Sequence, residues 1–201
     1  MIQAMDGPGS TSNGAPSDSA LVQRYRSGDE SAFSELVKRY EKDLFHYLLK
    51  FLGERATAED VTQDAFMQVH ARAGDFDARR AFRPWLFAIA ANRARDILRS
   101  RRRQPATAQQ QFDEHDAPID RIEAVDAMPE LPLEREETRE AVQQAVATIP
   151  EALREVLLLS YFHEFSHKEI ASIQQVPVGT VKSRLHAAIG YFTRAWREGK
   201  R

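Results

Sequence analysis

Pro177 constrains the C-terminal part of this chain more than any other single residue. A proline can open a helix, where its missing N–H costs nothing, but it cannot sit in a helix interior. Upstream, Ser166 followed by Glu169 has the spacing of a capping box, and Ile170, Ala171 and Ile173 supply an apolar face. Gln174 to Val176 break that pattern. Downstream, Val178, Val181, Leu185, Ala188, Phe192 and Trp196 recur at helical spacing and are expected to face inward. That leaves Gly179, Thr180, Lys182, Ser183 and His186 outward. Two helices, a tight turn and a polar, basic leading edge form the pattern of a helix-turn-helix. Apolar spacing alone would favour an ordinary helical hairpin with a solvated face. The capping box, the proline and the Thr-Val-Lys-Ser-Arg edge together shift the reading toward DNA.

The rest of the chain is also helical in pattern. Residues 1–18 are rich in Gly, Ser, Pro and Asn and are expected to be a disordered tail. From Ser19, apolar residues run at helical spacing to Leu52, with Gly28-Asp29-Glu30 as a break and Gly53 as a stop. Thr57 is expected to cap the next helix, whose buried stripe is Val61, Ala65, Phe66 and Val69. Asp60, Gln63 and Asp64 share another face of it. Two carboxylates at that spacing suit a general acid/base pair, a metal site, a solvated face or a docking patch for a basic partner. A helix surface offers no desolvating pocket to shift their pKa values, which weighs against catalysis.

A polar loop from Ala71 to Ala81 leads into a long helix expected over Phe82 to Arg103, with Pro84 in its first turn. From Arg79 to Arg103 there are nine arginines against one acidic residue, Asp96. Phe76, Phe82 and Trp85 cluster at the start. Arginine with aromatics is the combination that holds single-stranded DNA, charge tracking phosphate and rings stacking bases. For Trp85, a core role and a stacking role weigh equally. For Arg99, Arg101, Arg102 and Arg103 the charge imbalance exceeds what helix-dipole complementation needs, which favours phosphate contact. Residues 104–137 then turn Gln- and Pro-containing and acidic, a flexible linker. Helical spacing resumes with Ala141, Val142, Ala145, Val146 and Ile149, and Pro150 opens a helix carrying Leu153, Val156, Leu157 and Tyr161.

The fold class is therefore all-α: two small helical domains joined by a flexible acidic linker. The 201 residues carry a formal charge of −2, so charge distribution rather than net charge points to nucleic acid. Cys is absent, which excludes disulfides and thiolate zinc sites in this chain. No apolar run reaches membrane-span length and no signal peptide is evident, so a cytoplasmic protein without membrane insertion is expected. His163-Glu164-Phe165-Ser166-His167 matches H-E-x-x-H, but zinc chemistry needs both histidines on one continuous helix. Ser166 reads as an N-cap, so a helix boundary falls inside the motif. Neither a metal nor a cofactor is expected.

Two separated segments carry a family resemblance. Gly28-Asp29-Glu30, Ala58-Glu59-Asp60-Val61 with Gln63-Asp64-Ala65-Phe66, and Phe82-Arg83-Pro84-Trp85-Leu86-Phe87-Ala88-Ile89-Ala90 resemble region 2 of the extracytoplasmic-function sigma factors. Ile149-Pro150, Arg154, Glu169-Ile170-Ala171 and Pro177-Val178-Gly179-Thr180-Val181-Lys182-Ser183-Arg184-Leu185 resemble their region 4. The resemblance implies a non-enzymatic initiation subunit of bacterial RNA polymerase. Residues 19–103 would be the region 2 domain, 104–137 the linker and 138–201 the region 4 domain.

By the same resemblance, Asp60, Gln63 and Asp64 would contact core RNA polymerase, whose largest-subunit clamp and flap are the docking points. Phe76, Arg79, Arg80, Trp85, Asn92, Arg99, Arg102 and Arg103 would open and hold the −10 element as single strands. Thr180, Lys182, Ser183 and Arg184 would read the −35 element as duplex. An anti-sigma factor is implied as a further partner. The recognition helix continues His186-Ala187-Ala188-Ile189-Gly190, where many relatives have more Arg and an aromatic, which implies fewer charged contacts. The alternative is a free-standing helix-turn-helix regulator that binds duplex DNA without polymerase.

Overall fold

The structure, a computed structural model, describes residues 15–103 and 136–199. The expected linker, apart from residues 136 and 137, and most of the expected tail lie outside the described residues. All regular structure among the described residues is helical.

Four helices build the N-terminal half. α1 (Asp18–Arg26) starts at Ser17, whose side chain accepts from the Ala20 amide. Its C-terminal turn ends at Gly28, which adopts φ 96°, a conformation that favours glycine. Asp29 then caps α2 (Glu30–Leu52), accepting from the Ser31 amide and binding Arg24. Gly53, at φ 75°, closes α2 with a left-handed cap. α3 spans Arg55–Arg72 and α4 spans Phe82–Arg103. The expected cap at Thr57 is displaced: α3 begins three residues earlier at the Glu54 cap, and the Thr57 hydroxyl donates to the Glu54 carboxylate at 2.7 Å. Leu36, Leu44, Leu48, Phe51, Val61, Ala65, Phe82, Leu86 and Phe87 pack the core that α2, α3 and α4 share.

The C-terminal half is α5 (Glu136–Ala147), α6 (Glu151–Leu157), α7 (His167–Gln174) and α8 (Val178–Gly199). α8 packs on α5, α6 and α7 through Val181, Ala188, Phe192 and Trp196. Val178, expected to face inward, is instead exposed, because the first residue of α8 has no preceding turn to pack beneath. α6 runs straight into a π-helical turn, Leu158–Phe162. That wider turn carries Tyr161 out to solvent rather than onto the expected apolar stripe. Glu164 then adopts φ 54°, and Phe165 donates its amide to the Leu159 carbonyl at 3.0 Å.

The two halves are docked. α4 packs on α7, and α2 packs on the π-helical turn. His163 and Phe165, from the connection after α6, insert against Tyr47 and Phe87, with ring centroids 4.9–5.6 Å apart.

Candidate nucleic-acid interface

The helix-turn-helix forms as its residues dictate. Ser166 and Glu169 make the full capping box, the Ser166 side chain accepting from the Glu169 amide and the Glu169 carboxylate accepting from the Ser166 amide. Gln175 turns the chain at φ 56°, and the Pro177 carbonyl accepts the Val181 amide to start α8. Gln175 is among the few non-glycine residues in the left-handed region, and it ends α7 by donating its amide to Ala171. Lys182 and Ser183 project from the first turns of α8 into solvent, and Thr180 is half-buried beside them. Arg184 leans back, its guanidinium 3.4 Å from the Gln174 side-chain oxygen. All four expected −35 residues therefore share one helix start, with positive helix-dipole potential added to their own charge.

The basic run, from the loop before α4 along that helix, is extended and largely neutralised from within. Arg79 pairs with Asp77 at 3.0 Å, Arg93 with Asp64 at 3.2 Å, Arg99 with Asp96 at 3.2 Å and Arg101 with Glu54 at 2.5 Å. Hydrogen bonds from Arg79 hold the Asp77 carboxyl below its ordinary range. Asn92 is exposed and accepts from Arg95. Two more arginines reach the other half of the protein. Arg95 binds Glu155 at 2.7 Å, and Arg102 binds Glu151.

The aromatic cluster divides by depth. Phe76 is only 4% exposed, and its ring lies 4.9 Å from Trp85, which is half-buried. Phe82 sits beneath both. Phe76 thus presents itself to Trp85 rather than to solvent and acts as a support for it. The loop bearing these groups is held by α1: the Arg26 guanidinium donates to the carbonyls of Ala73, Gly74 and Phe76, and Ser19 donates to Ala78. Nothing in the periodicity signalled that clamp.

Asp60 and Gln63 are exposed on α3, while Asp64 is tied to Arg93. Gln63 also lines a groove of about 910 Å³ between α2 and α3, with Phe33, Phe45, Phe66 and Met67. Met67 is 62% exposed beside it.

Sequence reasoning missed the groups that join the halves. Glu155 is 2% exposed, and Tyr47 donates to it at 3.3 Å. Burial pushes the Glu155 carboxyl up, against the opposing effect of Arg95, and burial pushes the Tyr47 phenol up as well. Asp43 binds His163 at 2.7 Å and Arg83 at 2.8 Å. Partial burial works to raise the Asp43 carboxyl, but the bonds from His163 and Arg83 outweigh it and hold it at about 2. The available signal was Glu155 itself, an acid that with Arg154 interrupts the otherwise apolar stretch Leu153 to Leu159. His163 faces Asp43 from before the Ser166 cap, while His167 opens α7, so the two do not share a helix turn. Among the described residues, no group of three or more His, Asp or Glu side chains is placed to hold a metal ion.

Comparison with known proteins adds the family. A sigma-70 region 2 model matches residues 36–104, and a sigma-70 region 4 model matches residues 139–189. The RNA polymerase sigma-H factor of Pseudomonas aeruginosa is 36% identical over 176 residues, covering 85% of this chain and 89% of that protein. The ECF RNA polymerase sigma factor SigW of Bacillus subtilis is 32% identical over 166 residues, covering 82% and 89%. Among solved structures, CnrH in complex with the cytosolic domain of CnrY superimposes with a TM-score of 0.64 at 25% identity, over 88% of this chain and 95% of that one.

Proposed function

The chain belongs to the extracytoplasmic-function sigma factors of the sigma-70 family, and from that premise we propose how its two halves divide promoter-specific initiation. The N-terminal half, residues 19–103, binds core polymerase and the −10 element. The C-terminal half, residues 138–201, binds the −35 element. The observation that carries this division is the region 2 match over 36–104 paired with the region 4 match over 139–189, each on its own helical unit.

Thr180, Lys182, Ser183 and Arg184 enter the major groove, where a helix fits and base edges are distinguishable. Trp85, backed by Phe76, stacks on an unpaired −10 base. Arg79, Arg80, Arg99, Arg102 and Arg103 hold the phosphates of that strand, with Asn92 beside them. Asp60, Gln63 and Asp64 dock on the polymerase clamp, next to the apolar α2–α3 groove. The protein has no catalytic step of its own and works in the cytoplasm. A protein partner is supported by the CnrH structure, which was solved with the cytosolic domain of CnrY, and the proposed partner is an anti-sigma factor.

Purified bacterial core polymerase, with and without this protein, on randomised promoter DNA tests the reading. Protein-dependent transcripts sharing two spaced upstream elements are expected. No transcripts, with footprinting on duplex DNA by the protein alone, would instead establish a free-standing regulator.

A further inference from the structure

One face of α1 holds the loop between α3 and α4. The Arg26 guanidinium donates through Nε to the Ala73 carbonyl at 2.6 Å, and through Nη2 to the carbonyls of Gly74 at 2.7 Å and Phe76 at 2.5 Å. Two turns earlier, the Ser19 hydroxyl donates to the Ala78 carbonyl at 3.1 Å. Residues two turns apart share a helix face, so both ends of the loop are tied to one rigid element. Arg24, on the same helix, pairs with the Asp29 carboxylate. Arg26 differs in gripping backbone, just past the end of α3, where the last carbonyls of a helix have no intrahelical partner. A planar fork with donors in fixed directions suits that task, and its charge meets the negative end of the α3 dipole.

The grip falls directly behind the aromatic cluster. Phe76 is buried, and its own carbonyl is one of the three that Arg26 binds. Its ring lies 4.9 Å from Trp85 and 5.7 Å from Phe82. Asp77, next in the chain, accepts from the Arg79 amide at 3.0 Å and closes the loop's own turn. Fixing the Phe76 backbone therefore fixes the ring behind Trp85. An indole that is to stack on an incoming base gains most when it need not be ordered at that moment.

We propose that Arg26, assisted by Ser19, is a positioning residue for strand opening: it fixes the 73–78 backbone so that Phe76 holds Trp85 ready for an unpaired base of the −10 element. The inference rests on the role proposed for Trp85. Arg26 acts through Phe76 and Trp85 and touches no base itself. Without the grip, the loop keeps the competent arrangement only part of the time, and base capture slows by that fraction.

The test uses the full chain with core polymerase, on a promoter recovered from the randomised pool. A fluorescent adenine analogue in the −10 element reads base unstacking, and filter binding in the cold reads the closed complex. Arg26→Gln should slow opening about tenfold, as expected if the loop is competent about a tenth of the time. Closed binding should stay within about twofold, because the −35 edge is untouched. Arg26→Lys keeps the charge without the fork and should lie nearer the Gln variant than wild type. Arg24→Gln removes the same charge from α1 without releasing the loop, and should open within about twofold of wild type. The decisive readout is a double-mutant cycle. In a Trp85→Ala background, Arg26→Gln should slow opening by no more than about twofold further.

Circular dichroism and urea midpoints check folding. If Arg26→Gln does not fold, Arg26→Lys and Ser19→Ala carry the same cycle, with the smaller slowing of a partial release. Equal slowing in both backgrounds would overturn the inference, since a phosphate contact or a general loss of structure acts independently of Trp85. So would an Arg26→Gln that opens at the wild-type rate, or an Arg26→Lys equal to wild type. Should Trp85→Ala open as fast as wild type, the role proposed for Trp85 fails and the inference with it, while the sigma assignment stands. Should wild type fail to initiate, the sigma assignment itself fails, and the inference falls with it.

Discussion

The leading edge of α8 and the basic helix α4 both carry the side chains proposed to meet DNA, but they hold them in opposite ways. On α8, Lys182 and Ser183 stand in solvent, and Arg184, which is drawn back, meets a neutral amide. On α4, arginine after arginine is matched to a carboxylate. The difference teaches that charge count does not measure readiness to bind. The α8 edge is available as it stands, whereas under the proposed function α4 exchanges its internal partners for phosphate. That fits a helix that acts only once a duplex has been opened, beside one that reads the closed duplex.

The largest expected effect tests how α4 is embedded. That helix carries Phe87, fully buried against Tyr47, His163 and Phe165. Phe87→Ala should cost about 3–5 kcal/mol in urea unfolding. A loss below about 1 kcal/mol would mean that the two halves do not share this ring as a common core.

A second experiment sharpens the contrast directly. Lys182→Ala/Arg184→Ala should lower the duplex salt slope by about 0.9 for each phosphate that is no longer neutralised. Arg99→Ala should lower the single-strand slope by less than about 0.7, because Asp96 already neutralises part of that charge. Equal changes on the two helices would erase the distinction between an open edge and an internally paired one.

The smallest effect is a pH dependence. With its folded pKa held at about 2, below the ordinary aspartate value, Asp43 binds fewer protons folded than unfolded. Its contribution is present above about pH 4 and is lost as pH falls toward about 2. Glu155 has the opposite sign: its folded pKa is raised, so its contribution declines as pH rises above the ordinary carboxylate value. Asp43→Asn should therefore flatten the acid limb of stability against pH, followed by urea midpoints. An acid limb identical to wild type would show that the His163–Asp43–Arg83 bonds do not persist in solution.

Local chemistry was readable from the residues alone. The Ser166–Glu169 box, the Pro177 boundary, the limits of α4 and the Gly53 stop each depend on a handful of neighbouring groups. Thr57 misled because a nearby competitor, Glu54, took the cap position and left the threonine inside the helix. Tyr161 misled because helical spacing was extended through a stretch where the helix widens to a π turn. The stacking role weighed for Trp85 gained a support in Phe76, which spacing could place near it but not beneath it.

What the sequence determined by itself was the all-helical class, the helix-turn-helix and its polar edge, and the basic character of α4. These follow from short-range periodicity, capping and charge, which act within a few residues. Only the tertiary structure decided which side chains pair across the two halves. Asp43 meets His163 across 120 positions, and Tyr47 meets Glu155 across 108. No periodicity spans that separation, because such contacts form only when independently specified helices bury their faces against one another.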